Sequence, residues 1–221
     1  MKTGKSNMAR FAAWLGCACL WGGAATADEL KKNNVPQLVV YETADRLFPD
    51  MPKVAPVARI TEVCGADDSV NPRVAYCTSD NSLYVRAGSA LEPREAYEMA
   101  HVLGHAVQVR HGVADVALRE ITQRRDEEDK LRGWVTRQVE CIAGFLFHES
   151  GLPETDLRAL YDEEPMTDGH WGRNPLSIGP KVSIGLEARA EWFLVGQKGD
   201  LSACAVGEFG SELLIEALRE D

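Results

Sequence analysis

The chain has 221 residues, 45% hydrophobic and 26% charged, enough to bury one sizeable core and without the low-hydrophobicity, high-charge signature of disorder. Its net charge is −10; residues 1–27 carry Lys2, Lys5 and Arg10 and no acid, so their loss would take 24 basic residues to 21 against 34 acidic, a net of −13. This excludes nucleic acid and anionic membrane as charge-driven partners, since both require a cationic face.

Residues 1–27 read as a targeting segment, with three cations before an apolar run from Phe11 to Ala25 and the small-residue cleavage pattern Ala25-Thr26-Ala27 ahead of Asp28. The run is too short and glycine-rich for a membrane span, which needs about 20 apolar residues. The expectation is export to a periplasm or the extracellular space, with residues 28–221 forming a single domain and no stable membrane span after cleavage. Met8 is an alternative start, and Leu15-Gly16-Cys17 faintly resembles a lipoprotein box; both alternatives stay open.

Cys17 and Cys19 fall in this segment, which leaves Cys64, Cys77, Cys141 and Cys204. Four cysteines in an exported chain predict two disulfides, with three connectivities. Cys64 and Cys77 flank what read as neighbouring strands, which favours Cys64–Cys77 and leaves Cys141–Cys204. The chain has no Cys-x-x-Cys pair, which argues against a thiolate metal site.

Residues 36–49 combine an apolar run with helical spacing at Leu38, Tyr41, Ala44 and Leu47/Phe48, and we assign them to a helix. Met51 to Pro56 reads as a proline-rich connector. Strands are expected at Ala58–Val63, Arg73–Cys77 and Leu83–Arg86, the last two joined as a hairpin by Asp80-Asn81-Ser82. A helix should start at Glu92-Pro93 and end at Gly112. Its positions Ala96, Met99, Ala100, Leu103 and Val107 form one apolar face, His101, His105 and Gln108 an adjacent one, and Val102, Ala106 and Val109 widen the apolar surface. Residues 115–150 read as one long helix or two with a break, with a charged run at Arg124–Lys130 and an apolar stripe from Trp134 to Phe147 stopped by Gly151. A short helix is expected in Pro153–Tyr161, an irregular stretch over the cleft at Met166–Pro180, and closing helices at Leu186–Gln197 and Ser211–Arg219.

Chemistry concentrates in His101-Val102-Leu103-Gly104-His105. Side chains four apart on a helix lie one above the other, so both imidazoles can reach one metal ion. Buried histidines can equally be satisfied by each other or by backbone groups. His111, His148 and His170 read as surface histidines, and Trp134, Trp171 and Trp192 as core or cleft wall.

Several ordered blocks resemble the bacterial neutral zinc metallopeptidases, an exported zincin-like family. They are Cys64 with Tyr76-Cys77, Asp80-Asn81 and Tyr84; His101, Gly104, His105, Val107 and Gln108; Gln138, Cys141, Ala143 and Gly144; and Arg189, Trp192-Phe193, Gly199-Asp200 and Cys204. The resemblance spans Ala58 to Cys204. It implies an α+β, mainly helical zincin-like fold, with a small antiparallel hairpin sheet packed on the histidine helix and a second long helix, stapled by disulfides. It implies a zinc site as well, and here the chain departs from the pattern. Val102 stands where the family has its glutamate base, Thr136 where it has the third ligand, and Glu140 where an aspartate supports the first histidine. Loss of the base alone costs about 10² to 10⁴ in rate. The implied candidate metal residues are His101, His105 and Glu140, with no catalytic residue assigned and zinc weak or absent. Three readings follow: a pseudopeptidase that binds a peptide or protein, an active zinc endopeptidase with Glu140 recruited as ligand or base, and a purely structural or interaction protein.

Overall fold

The computed structural model describes residues 36–87, 93–167 and 181–219. The targeting segment, Glu92, and most of the irregular stretch, including His170 and Trp171, lie outside them. The fold is α+β and mainly helical, about 55% helix beside one three-stranded sheet. No described helix is long and apolar enough to cross a membrane.

Helix α1 spans Pro36–Leu47; its Val40 and Ala44, and Phe48 just after it, are buried, spaced four apart as one helical face requires. The expected connector instead holds strand β1 (Lys53–Val57), while the expected strand at Ala58–Val63 holds a 3-10 turn (Ile60–Glu62). Pro56 has no N–H to give a ladder, and β1 accommodates it because it lies at the sheet edge. Ile60 turns inward onto Val70 and Ala75, a local cluster that alternating strand geometry would break. Strands β2 (Val74–Cys77) and β3 (Ser82–Arg86) form the expected antiparallel hairpin. Because β1 pairs parallel with β3, from Lys53↔Ser82 to Val57↔Arg86, the sheet is mixed, not antiparallel, in the order β1-β3-β2.

Helix α2 (Pro93–Arg110) carries both site histidines. Proline fits its first turn, Glu95 and Arg110 complement the macrodipole at its two ends, and Gly112, with φ of 81°, turns the chain into α3 (Val113–Gln123). Of the two arrangements expected for residues 115–150, the chain has two helices, with the break at Arg124–Glu127. There Arg124 bonds Glu127 (2.7 Å) and Glu208, tying the break to the C-terminal region. These pairs are solvent-exposed and contribute little to stability.

Helix α4 (Glu128–Glu149) is the spine: every residue from Gln138 to Phe147 is buried. It packs against α2 on one side and α6 (Leu186–Gly196) on the other. Such double coverage explains why its apolar stripe is wider than one helix face. Two short helices, α5 (Leu157–Leu160) and α7 (Glu212–Glu216), and a 3-10 turn (Leu201–Cys204) complete the elements of the described residues. Sheet and helix meet where β2 packs on α2, and Arg73 reinforces the junction by donating through Nε to Glu98 Oε2 at 2.6 Å.

Both expected cysteine pairs lie at bonding distance, Cys64–Cys77 with Cα atoms 6.1 Å apart and Cys141–Cys204 with Cα atoms 5.4 Å apart. Cys77 ends β2, but Cys64 follows the 3-10 turn and does not end a strand. The second staples the spine to the turn after α6, beside Gln138, which donates to the carbonyls of Cys204 and Gly210 at 3.0 and 3.1 Å.

Candidate functional site: a buried histidine, glutamate and arginine cluster

Three helices meet at the site, and glycines set their spacing. On α2, a β-carbon at Gly104 would sit 2.9 Å from the Val139 carbonyl oxygen of α4, so only glycine lets the two backbones come this close. That approach brings His101 against Glu140, the residue after Val139. On the far side, Gly144 of α4 faces the Phe193 carbonyl, and Gly196 of α6 faces the Cys141 carbonyl. This crossing carries Arg189 to the same carboxylate.

His101 is fully buried, and its Nδ1 lies 3.0 Å from Glu140 Oε1. An ionised carboxylate can only accept, so Nδ1 carries the proton in this hydrogen bond. Its neighbour one turn on, His105, lies with its ring centroid 4.9 Å away, edge to face. Tyr97, one turn earlier, donates to both oxygens of Glu140 at 3.2 and 3.1 Å. Arg189 Nη1 also donates to Glu140 Oε1, and its Nε donates to Glu164 Oε1 at 2.7 Å. Tyr97, Glu140 and Arg189 are all buried.

Burial pushes the Glu140 carboxyl up, but His101 and Arg189 outweigh it and hold its pKa below the ordinary carboxylate value. Burial likewise disfavours charge on Arg189, and the adjacent Glu140 overrides it, keeping the guanidinium charged. Tyr97 moves far upward, first through burial and then through the neighbouring Glu140 charge, so it remains a neutral donor.

The remaining candidate positions, Thr136 and Val102, offer neither a carboxylate nor an imidazole. Thr136 Oγ1 donates to Arg132 O of its own helix at 3.0 Å, and Val102 is buried among apolar neighbours. Glu140 stands behind His101, on the Nδ1 side, with its oxygens engaged by three partners. Among the described residues, no group of three or more His, Cys, Asp or Glu side chains could hold a metal ion. A catalytic zinc takes three protein ligands and a water. The described donor set, two imidazoles, falls one ligand short of that requirement.

His111 lies apart from the pair: its ring packs on Phe48 with centroids 5.7 Å apart, and burial lowers its pKa. His148, half-exposed, pairs with its neighbour Glu149 at 3.1 Å. Sequence reasoning missed Tyr97 and Glu164 and gave Arg189 no role. A tyrosine in register with His101 and His105 was one available signal, and an arginine among Ala188, Ala190 and Phe193 was another. Glu164 sits in irregular chain, where no periodicity marks it.

Comparison with protein-family models, curated proteins and solved structures finds no match for this chain.

Proposed function

We propose that this chain is an exported protein on a zincin-like scaffold that no longer hydrolyses peptides and acts by binding a peptide or protein. The observation that carries this reading is the commitment of Glu140 to His101 Nδ1, Tyr97 and Arg189. A carboxylate held this way orients the imidazole, as carboxylates behind metal-bound histidines do. It is then not free to coordinate beside His101 or to take a proton from water, which weighs against an active enzyme that recruits Glu140. Val102 and the inward-bonded Thr136 support the same reading, and the two cysteine pairs fit an oxidising, extracytoplasmic setting.

Restoring chemistry then requires two changes in a set order. Thr136→Glu alone should raise zinc affinity, because affinity depends on ligands and not on the base. Val102→Glu alone should leave the protein inactive and less stable, since it places a carboxylate in an apolar site without a cation. The double variant should hold zinc and gain some peptidase activity, because a general base acts on a water that the metal has acidified. Zinc per chain and chelator-sensitive proteolysis, measured across the three variants, check this order. Robust chelator-sensitive activity from Val102→Glu alone would show that a third ligand already exists, Glu140 being the candidate, and that Thr136 does not stand at the third-ligand position; tight zinc with chelator-sensitive proteolysis in the natural chain would end the pseudopeptidase reading.

A further inference from the structure

Residues 164–166 and 182–184 flank the stretch 168–180, and two side chains bind these flanks together. Glu164 Oε1 accepts from the Ile184 amide at 2.9 Å, and its Oε2 accepts from Ser183 Oγ. Arg189 donates through Nε to Glu164 and through Nη2 to two carbonyls, Met166 O before the stretch and Val182 O after it, each at 3.2 Å. Met166 adopts φ of 54°, a left-handed conformation unfavourable for a side chain with a β-carbon. It is held there by Arg189 on its carbonyl and by Asn71, which donates to its sulfur at 3.4 Å. The same guanidinium reaches Glu140, which fixes His101.

We propose that Glu164 and Arg189 form a staple that fixes the root of the 167–181 segment and, through Glu140, the ring orientation of His101. Root and imidazole are then one mechanical unit, and displacing either displaces the other. Arg189 is the positioning residue at the junction, because it touches both flanks and Glu140. The inference stands on these contacts and does not depend on the zincin reading.

The test uses the full chain with Glu164→Ala, Glu164→Gln and Ser183→Ala. Glu164 is partly exposed, and Ser183 is exposed and loses only one contact, so these variants should fold. Three readouts apply: hydrogen exchange at the Ile184 amide, tryptic cleavage after the exposed Lys181, and the histidine ring signals in nitrogen-edited NMR. In Glu164→Ala, exchange and cleavage should accelerate about tenfold or more, the scale of a lost hydrogen bond to a charged group. The His101 ring signals should move while those of His111 stay in place. Glu164→Gln, which keeps an acceptor oxygen, should fall between Glu164→Ala and the parent, and Ser183→Ala should show the same pattern more weakly. Unchanged Ile184 exchange would remove the staple. Faster exchange with unmoved His101 signals would remove the coupling, and equal movement of His101 and His111 would show general loosening and overturn both.

Discussion

Replacing Gly196 by alanine is expected to leave little folded protein. The new β-carbon would overlap the Cys141 carbonyl oxygen and stand 2.7 Å from the Phe145 amide nitrogen, both backbone atoms of the central helix. Neither can move without parting α4 from α6, the contact that seats Arg189 on Glu140. Overpacking a core costs about 1 to 3 kcal/mol when side chains can adjust, and more when they cannot. Against a total stability of about 5 to 15 kcal/mol, a backbone clash at the spine should remove most of it. Gly133→Ala is the matched control. Its β-carbon would meet the end of the flexible Arg137 side chain at 3.0 Å and Ile184 Cγ2 at an ordinary contact distance of 3.7 Å, so alanine's better helix propensity should leave it neutral or stabilised by up to about 1 kcal/mol. Denaturant midpoints for the two variants check this, and equal stabilities would show that the α4–α6 approach is looser than described.

Glu140→Gln should destabilise the protein by about 3 to 5 kcal/mol at neutral pH, the usual consequence of removing one partner from a buried ion pair. Glutamine keeps the shape but leaves Arg189 charged in the core, with only the more peripheral Glu164 as anion. The sign of the pH dependence follows from the lowered Glu140 pKa. A carboxylate whose pKa is depressed on folding contributes stability that is present above its unfolded value, about 4, and lost as pH falls through the folded value. The gap between wild type and variant should therefore be full at pH 7 and close progressively below about pH 4. Unfolding curves at pH 7, 4 and 3 measure it, and a gap that stays constant would mean that the ionised carboxylate is not the stabilising species.

Periodicity made the helices legible, because 3.6-residue patterning was strong at Ala96–Val107 and Trp134–Phe147 and proline and glycine marked the ends. The sheet was less legible. Lys-Val-Ala-Pro-Val reads as a connector because of its proline, yet an edge strand tolerates proline where a central one does not. A parallel partner such as β3, 29 residues on from Lys53 to Ser82, leaves no local signal for β1. At the site, the helical register of His101 and His105 and the placement of Glu140 one turn past Thr136 were visible in the sequence. The Tyr97 and Arg189 contacts were not, because they depend on two helix crossings set by Gly104, Gly144 and Gly196, and spacing along one helix carries no information about what another helix delivers.

The reading of this site as catalytically silent is tested most directly by the zinc content of the purified, dialysed chain, measured by elemental analysis beside a general protein-substrate assay with and without chelator. A silent site should give well under one zinc per chain and no chelator-sensitive proteolysis. One tightly held zinc per chain, with proteolysis that the chelator abolishes, would contradict it.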